Sequence, residues 1–270
     1  MKSPTHGSHS PGPETARPAP PGPAARVGEL LVIRPASGLS GDMLLAGLAR
    51  MAAVETAELS SLATGLGLPA GCVALAQRAV NGINGWTCRV TLPPEHAHRT
   101  FADIRRIIAD GDLTPAAAAM AVECFALLAE AEGRIHGVPT DKVVFHEVGA
   151  LDSILDVCLA CLLFDRIAPA ALVCGPLPLC DGTARCAHGP VPTPAPAVLD
   201  LLPGVTVRGI DSQGETVTPT AISLLKGLGA TFGPWPEMTV TRTALVYGTR
   251  VLPGVANGAL FALGRGTVPA

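Results

Sequence analysis

Apolar residues fall in short blocks divided by Gly, Pro and polar turns, and their period alternates between two and 3.6 along the chain. Glu29 to Ile33 reads as a first strand, which Ser37-Gly38-Leu39-Ser40-Gly41-Asp42-Met43 turns into a helix reaching about Met51. Ser40 is placed to be the N-cap of that helix, with Asp42 in its first turn. Glu55 to Gly65 predicts a second helix, and Val73 to Val80 with Trp86 to Leu92 predicts a hairpin around Asn81 to Gly85. Helices are expected at Phe101 to Ala109, at Pro115 to Ile135 opened by Thr114-Pro115, and at Ala150 to Arg166. Between the last two, Val143 to Phe145 is a short strand broken by Gly149.

The C-terminal half continues the alternation. Ala171 to Val173 reads as a strand, followed by a loop from Pro176 through Gly189. Prolines 190, 192, 194 and 196 argue against regular structure before a short helix at Ala195 to Leu202. Val205 to Ile210 is strand-like, Thr220 to Leu228 helical, and Met238 to Val246 and Ala259 to Leu263 strand-like. This order predicts an α/β fold, a mixed sheet with flanking helices, rather than a bundle or a sandwich. Residues 1–27, rich in Pro and Gly, read as a disordered extension in which His6 and His9 are incidental. Residues 28–265 form the folded domain, with 93–100 as the place where two subdomains would part, and 266–270 are a tail.

Composition narrows the function. With a formal charge of -3, 15% charged residues and no dense Lys/Arg block, the chain has no electrostatic footprint for nucleic acid. Apolar runs such as Ile154 to Phe164 stop well short of the roughly 20 residues that span a bilayer, so no membrane segment is expected. No apolar export core follows the start, which makes the cytoplasm the expected location and free thiols the expected state of the eight cysteines. Cys158-x-x-Cys161 lies within an apolar helix and reads as core.

Candidate chemistry gathers around Phe145-His146-Glu147-Val148-Gly149-Ala150-Leu151-Asp152 and Asp156. His146 and Glu147 stand at a strand end, where open sheets place ligands, and Asp152 and Asp156 share one face of the next helix near its start. The glycine turn at Ser37 to Gly41 opens a helix with exposed amides, suited to phosphate or carboxylate, yet it is neither a Walker A loop nor a dinucleotide fingerprint. Thr218 ahead of Pro219 reads first as a helix cap, whereas Glu215 has no such structural role. His188 can be a fixed ligand or a turn residue. His136 reads as a helix-end residue, and His96 and His98 read as surface. No nucleophile elbow or thiol-protease signature occurs. The remaining imidazoles and carboxylates suit borderline ions such as zinc, nickel or cobalt.

Taken together, Ser37 to Met43, Phe145 to Ser153, Cys186-Ala187-His188-Gly189-Pro190-Val191-Pro192-Thr193-Pro194-Ala195-Pro196-Ala197 and Gly214-Glu215-Thr216-Val217-Thr218-Pro219-Thr220 resemble, in order, the LarC family of nickel-insertion proteins. The resemblance runs from about Leu30 to Leu263. It implies a metal chelatase of the lyase class, which places nickel into pyridinium-3,5-bisthiocarboxylic acid mononucleotide to make the nickel-pincer cofactor of lactate racemase, in a CTP-dependent reaction. It implies His146, Glu147 and His188 as transient nickel ligands, with Asp42 and Glu215 as further metal candidates and Glu147 and Asp152 as catalytic candidates. Gly38, Ser40, Gly41, Thr218 and Thr220 become the candidate cradle for the mononucleotide.

The chain departs from the family's pattern at Arg34-Pro35-Ala36, in the reduced tract Glu95 to Arg99, and at Tyr247-Gly248-Thr249-Arg250-Val251. The family's CTP-associated second domain is not found in this sequence, so CTP is expected to act through that domain, supplied by a separate polypeptide or by a frameshifted extension of the reading. That polypeptide, or a second copy of the chain, is the expected protein partner, beside the pyridinium mononucleotide substrate. A nickel carrier without turnover, or a diverged paralogue, is the alternative reading.

Overall fold

The computed structural model describes residues 26–93, 98–145, 148–186 and 188–268. In chain order the first part contains β1 (Val27–Pro35), α1 (Gly41–Met51), α2 (Thr56–Gly65), β2 (Val73–Val80), β3 (Ile83–Val90), β4 (Arg99–Thr100), α3 (Phe101–Asp110) and α4 (Pro115–His136). A 3-10 turn at Thr140–Lys142 leads to β5 (Val144–Phe145) and α5 (Leu151–Ile167). Then come β6 (Ala171–Cys174), β7 (Leu177–Leu179), β8 (Thr183–Cys186), β9 (Gly189–Pro192), α6 (Pro196–Leu201), β10 (Val207–Gly209), α7 (Pro219–Gly227), β11 (Thr231–Phe232), β12 (Met238–Val246) and β13 (Ala259–Thr267).

Seven strands form a mixed sheet in the order β11-β6-β1-β13-β12-β3-β2. β1 runs parallel to β6 and antiparallel to β13, which is in turn antiparallel to β12, so β1 and β12 end on the same side. β3 runs parallel to β12 and also points that way. Period-two alternation assigns the faces. Leu31, Ile33, Phe261 and Leu263 join one large core with the helices, whereas Val32, Val173 and Ala262 form a small cluster on the opposite face. With few aromatics available, that core is mainly aliphatic; Phe125 and Phe145 meet edge to face at 6.2 Å between centroids. The α/β class and mixed sheet agree with the pattern of the sequence.

Helix starts follow local chemistry. The Thr114 hydroxyl accepts from Ala117 N at 3.1 Å with Pro115 at N1, and Thr100 with Asp103 forms a reciprocal capping box. The hairpin turn is tighter than expected: β2 and β3 are joined by Asn81 and Gly82 alone, at φ +52° and +79°. This is the backbone that an Asn-Gly pair supplies most readily.

Three differences are clear. The Pro-rich stretch is not free of regular structure, since β8 and β9 pair antiparallel, with Arg185 opposite Pro190 and Thr183 opposite Pro192. Prolines two apart share one parity, so both can occupy positions whose nitrogens face away from the single partner strand. The two-residue β11 lacks a pattern of its own; it is held by pairing with β6. β13 also continues four residues beyond the expected end at Leu263, kept extended by its long ladders with β1 and β12. Expectations for residues 1–25, His96, His146 and Glu147 fall outside the described residues.

The cysteines are free, and all but Cys186 are buried. Burial pushes the Cys158 thiol up to about 12 and raises Cys161 well above its usual value, as expected of core thiols. Among the described residues, no helix is long and apolar enough to cross a membrane.

Candidate functional site

A cleft of about 790 Å3 opens beyond the carboxyl ends of β1, β3 and β12. One wall is the turn Ser37 to Asp42 at the start of α1, another the segment Glu215 to Thr220 before α7. These walls are joined by a parallel bridge between Leu39 and Val217, in which Leu39 N donates to Thr216 O at 2.9 Å and Thr218 N to Leu39 O at 3.1 Å. Gly38 makes the join possible: a Cβ there would lie 2.3 Å from the Thr216 carbonyl oxygen. Thr87 to Thr91 of the β3 side, Asp152, Ser153 and Asp156 from α5, and Tyr247 to Arg250 after β12 complete the lining.

The structure therefore brings Gly38, Ser40, Gly41, Asp42, Asp152, Glu215, Thr218 and Thr220 to one cavity. Some have local duties. Thr218 caps α7, its hydroxyl accepting from Ala221 N at 3.3 Å, the role its position before Pro219 implied. Ser40 occupies the N-cap position of α1, but its hydroxyl donates to Asp42 Oδ1 instead of capping the helix. Asp152 is exposed and accepts from Ser153 N at 2.7 Å. The Glu215 carbonyl accepts from Arg250 Nη1 at 2.7 Å, which turns that guanidinium along the cleft wall.

Carboxylates dominate the floor. Burial raises the Asp42 carboxyl above its ordinary range, against hydrogen bonds from Ser40 and backbone N–H groups and the attraction of Arg78. Asp156 is raised further by burial, then by repulsion from Asp42 and Asp152. Burial likewise pushes up the Cys88 thiol, helped by the nearby charges of Asp156 and Asp42. Arg78 donates to the carbonyls of Gly248 and Thr249, bracing the turn after β12.

His188 is placed elsewhere. It is exposed, is not among the cleft-lining residues, and lies beside His136, the ring centroids 4.9 Å apart. His136 Nε2 is 3.1 Å from Glu132 Oε2, so the helix-end histidine has gained a neighbour that its sequence position did not foretell. Among the described residues, no group of three or more His, Cys, Asp and Glu side chains is arranged to hold a metal ion. The sequence did not single out Arg78, Cys88 or Arg89 as site residues. They lie on the β2–β3 hairpin and carry no local motif. Asp156 was signalled by its spacing from Asp152.

Residues 31–266 match the nickel insertion protein family. The chain belongs to that family. A Myxococcus xanthus protein named for nickel insertion is 38% identical over 239 residues, covering 87% of this chain and 60% of that relative. A second, from Syntrophotalea carbinolica, is 38% identical over 237 residues, covering 86% of this chain and 59% of the relative. A Staphylococcus epidermidis relative named pyridinium-3,5-bisthiocarboxylic acid mononucleotide nickel insertion protein is 33% identical over 204 residues, covering 76% of this chain and 51% of its own length. The chain thus spans between half and three-fifths of the length of these family members. No solved structure matches it.

Proposed function

We propose that this chain takes part in inserting nickel into a pyridinium bisthiocarboxylate mononucleotide, working in the cytoplasm with a CTP-binding polypeptide supplied in trans. Family membership and the name of the Staphylococcus epidermidis relative support the reaction class. The observation that carries the reading is the cleft itself, where three of the four sequence segments behind the family resemblance converge. Those segments lie about 100 and about 60 residues apart along the chain, and their convergence gives a mononucleotide a cavity of suitable size.

In this reading the amides opening α1, with Ser40 and the Thr218 and Thr220 hydroxyls nearby, take the phosphate. Nickel is a substrate, presented by imidazole and carboxylate donors for which His146, Glu147, His188, Asp42 and Glu215 are the candidates. Sulfur pairs on the mononucleotide are softer donors than these, so transfer from protein to ligand runs toward the stronger complex. Asp152 and Glu147 are the candidates for orienting the metal or ligand during that exchange.

The test mixes purified chain, nickel, the bisthiocarboxylate mononucleotide, CTP and the second domain of a relative, and follows nickel-bound product by absorbance and mass spectrometry. Product formation is expected, together with weaker nickel binding in His146→Ala and His188→Ala. Unchanged nickel affinity in both variants removes the assigned ligands. A second reading, a nickel carrier, is favoured by the placement of His188 beside His136 and away from the cleft lining. It predicts nickel binding without product even when the second domain is present.

A further inference from the structure

We propose that Asp42 and Asp156 are the protein ligands of a hard divalent cation of the magnesium class, seated on the cleft floor and bridging to the phosphate of the bound mononucleotide. Asp156 belongs to neither the nickel ligands nor the phosphate cradle discussed above. The cation half of the proposal stands on the two carboxylates alone; the phosphate half rests on the mononucleotide reading.

Four observations converge. Among the described residues, the only buried side-chain oxygens or nitrogens without a hydrogen-bond partner are Asp42 Oδ2 and Asp156 Oδ1. Native structures rarely leave such atoms unmatched, and a bound ion is a standard partner for them. Second, both residues line the same cavity and are close enough for their charges to repel. Third, no cation among the described residues acts on Asp156. Arg78, whose charge acts on Asp42, donates from Nη1 to the Gly248 and Thr249 carbonyls.

Fourth, the helix start leaves room for the Asp156 carboxylate. A Cβ on Gly41 would lie 2.7 Å from Asp156 Oδ2 and 3.2 Å from Asp156 Cβ, so the first turn of α1 packs directly against that side chain. The amides of this turn are thereby held beside the carboxylate pair, and a phosphate received there lies next to the ion. The donor set selects the ion. All-oxygen ligation by two carboxylates, completed by phosphate and water, is the usual arrangement for magnesium or manganese, whereas nickel on its way to sulfur is better served by imidazole. Two protein ligands are enough for such an ion, with phosphate and water completing its shell.

Manganese serves as the probe, at pH 8 with the full chain. Loss of the free Mn2+ electron paramagnetic resonance signal should report one site, weakened at least tenfold in both Asp42→Asn and Asp156→Asn. Nicotinic acid mononucleotide, a pyridinium mononucleotide, should tighten Mn2+ binding to the unaltered chain, and its 31P line should broaden when Mn2+ is added; this second measurement needs no variant. Circular dichroism checks that the variants fold. Absence of Mn2+ binding in the unaltered chain overturns the proposal, as does an affinity in both variants unchanged from the unaltered chain, or a loss matched by His188→Ala. Mn2+ bound through Asp156 with no effect on or from the mononucleotide overturns the phosphate half and leaves the seat. A nickel titration of the same variants separates the two readings: Asp156→Asn should lose manganese and keep nickel, whatever the fate of nickel insertion.

Discussion

Replacing Gly38 with Ala tests whether close backbone approach holds the cleft together. The added methyl would sit 2.3 Å from the Thr216 carbonyl oxygen, a backbone atom that cannot rotate aside. The two strands of chain must separate, and the bonds from Leu39 N to Thr216 O and from Thr218 N to Leu39 O are strained or lost. At about 0.5–1.5 kcal/mol for each bond, plus about 1–3 kcal/mol for forcing an atom into a packed site, the expected loss is roughly 3 kcal/mol. For a chain of this size each kcal/mol corresponds to about 2–4 °C in melting temperature, so the midpoint should fall by about 6–12 °C. Urea unfolding followed by circular dichroism measures the free energy, with thermal melts as the check. Gly209→Ala is the control, because a Cβ there meets nothing within 4 Å. Its effect should be neutral or stabilising by up to about 1 kcal/mol. If Gly38→Ala loses less than about 0.5 kcal/mol, or no more than the control, the Leu39–Val217 bridge does not depend on glycine and the argument fails.

Two further outcomes are expected. Thr218→Ala removes the cap of α7 and should cost about 1 kcal/mol in urea unfolding, while Thr218→Ser, which keeps the hydroxyl, should restore most of it. The Cys158 thiol keeps its proton up to about 12 in the folded chain but ionises from about 9 once exposed, so its contribution is complete below pH 9 and lost as the pH climbs toward 12. Between pH 8 and pH 10 this group alone should cost about 1.4 kcal/mol, and Cys158→Ala should flatten the pH dependence by that amount, measured from urea midpoints at the two values. An unchanged slope would show that the thiol is not shielded as the packing implies.

Elements with a strong period were legible in the sequence. β1, α1, α2 and α4 stand within a residue or two of their expected limits because apolar spacing, Thr-Pro caps and glycine stops act locally. What escaped was set by strand pairing that residue spacing does not encode. β11 is too short to carry a pattern, and β9 exists because two prolines fit one side of an isolated ribbon. The site divides in the same way. Asp42, Glu215 and the glycine turn announced themselves through helix starts and an unexplained carboxylate. Arg78 and Cys88 reach the cleft only because β3 lies beside β12, a pairing no local spacing encodes. His188 kept company with His136 for the same reason: the β8–β9 hairpin, unforeseen, carries it to the end of α4.

The cleft's walls are joined to the rest of the molecule very unequally. Where Leu39 and Val217 bridge, the loop after β1 and the loop before α7 are sewn into one rigid flank. On the other flank, β3 meets β12 through a single registered pair, Val246 with Trp86, while β1 and β13 share nine. Fewer ladder bonds lower the free energy for local opening, so this seam should part before the Leu39–Val217 flank does. Under the proposed function, the mononucleotide would pass on the side of Arg78, Cys88 and Arg89, while the flank joined by Leu39 and Val217 keeps its shape. Hydrogen exchange should then be fastest at the β3–β12 seam and slow as soon as the cavity is filled.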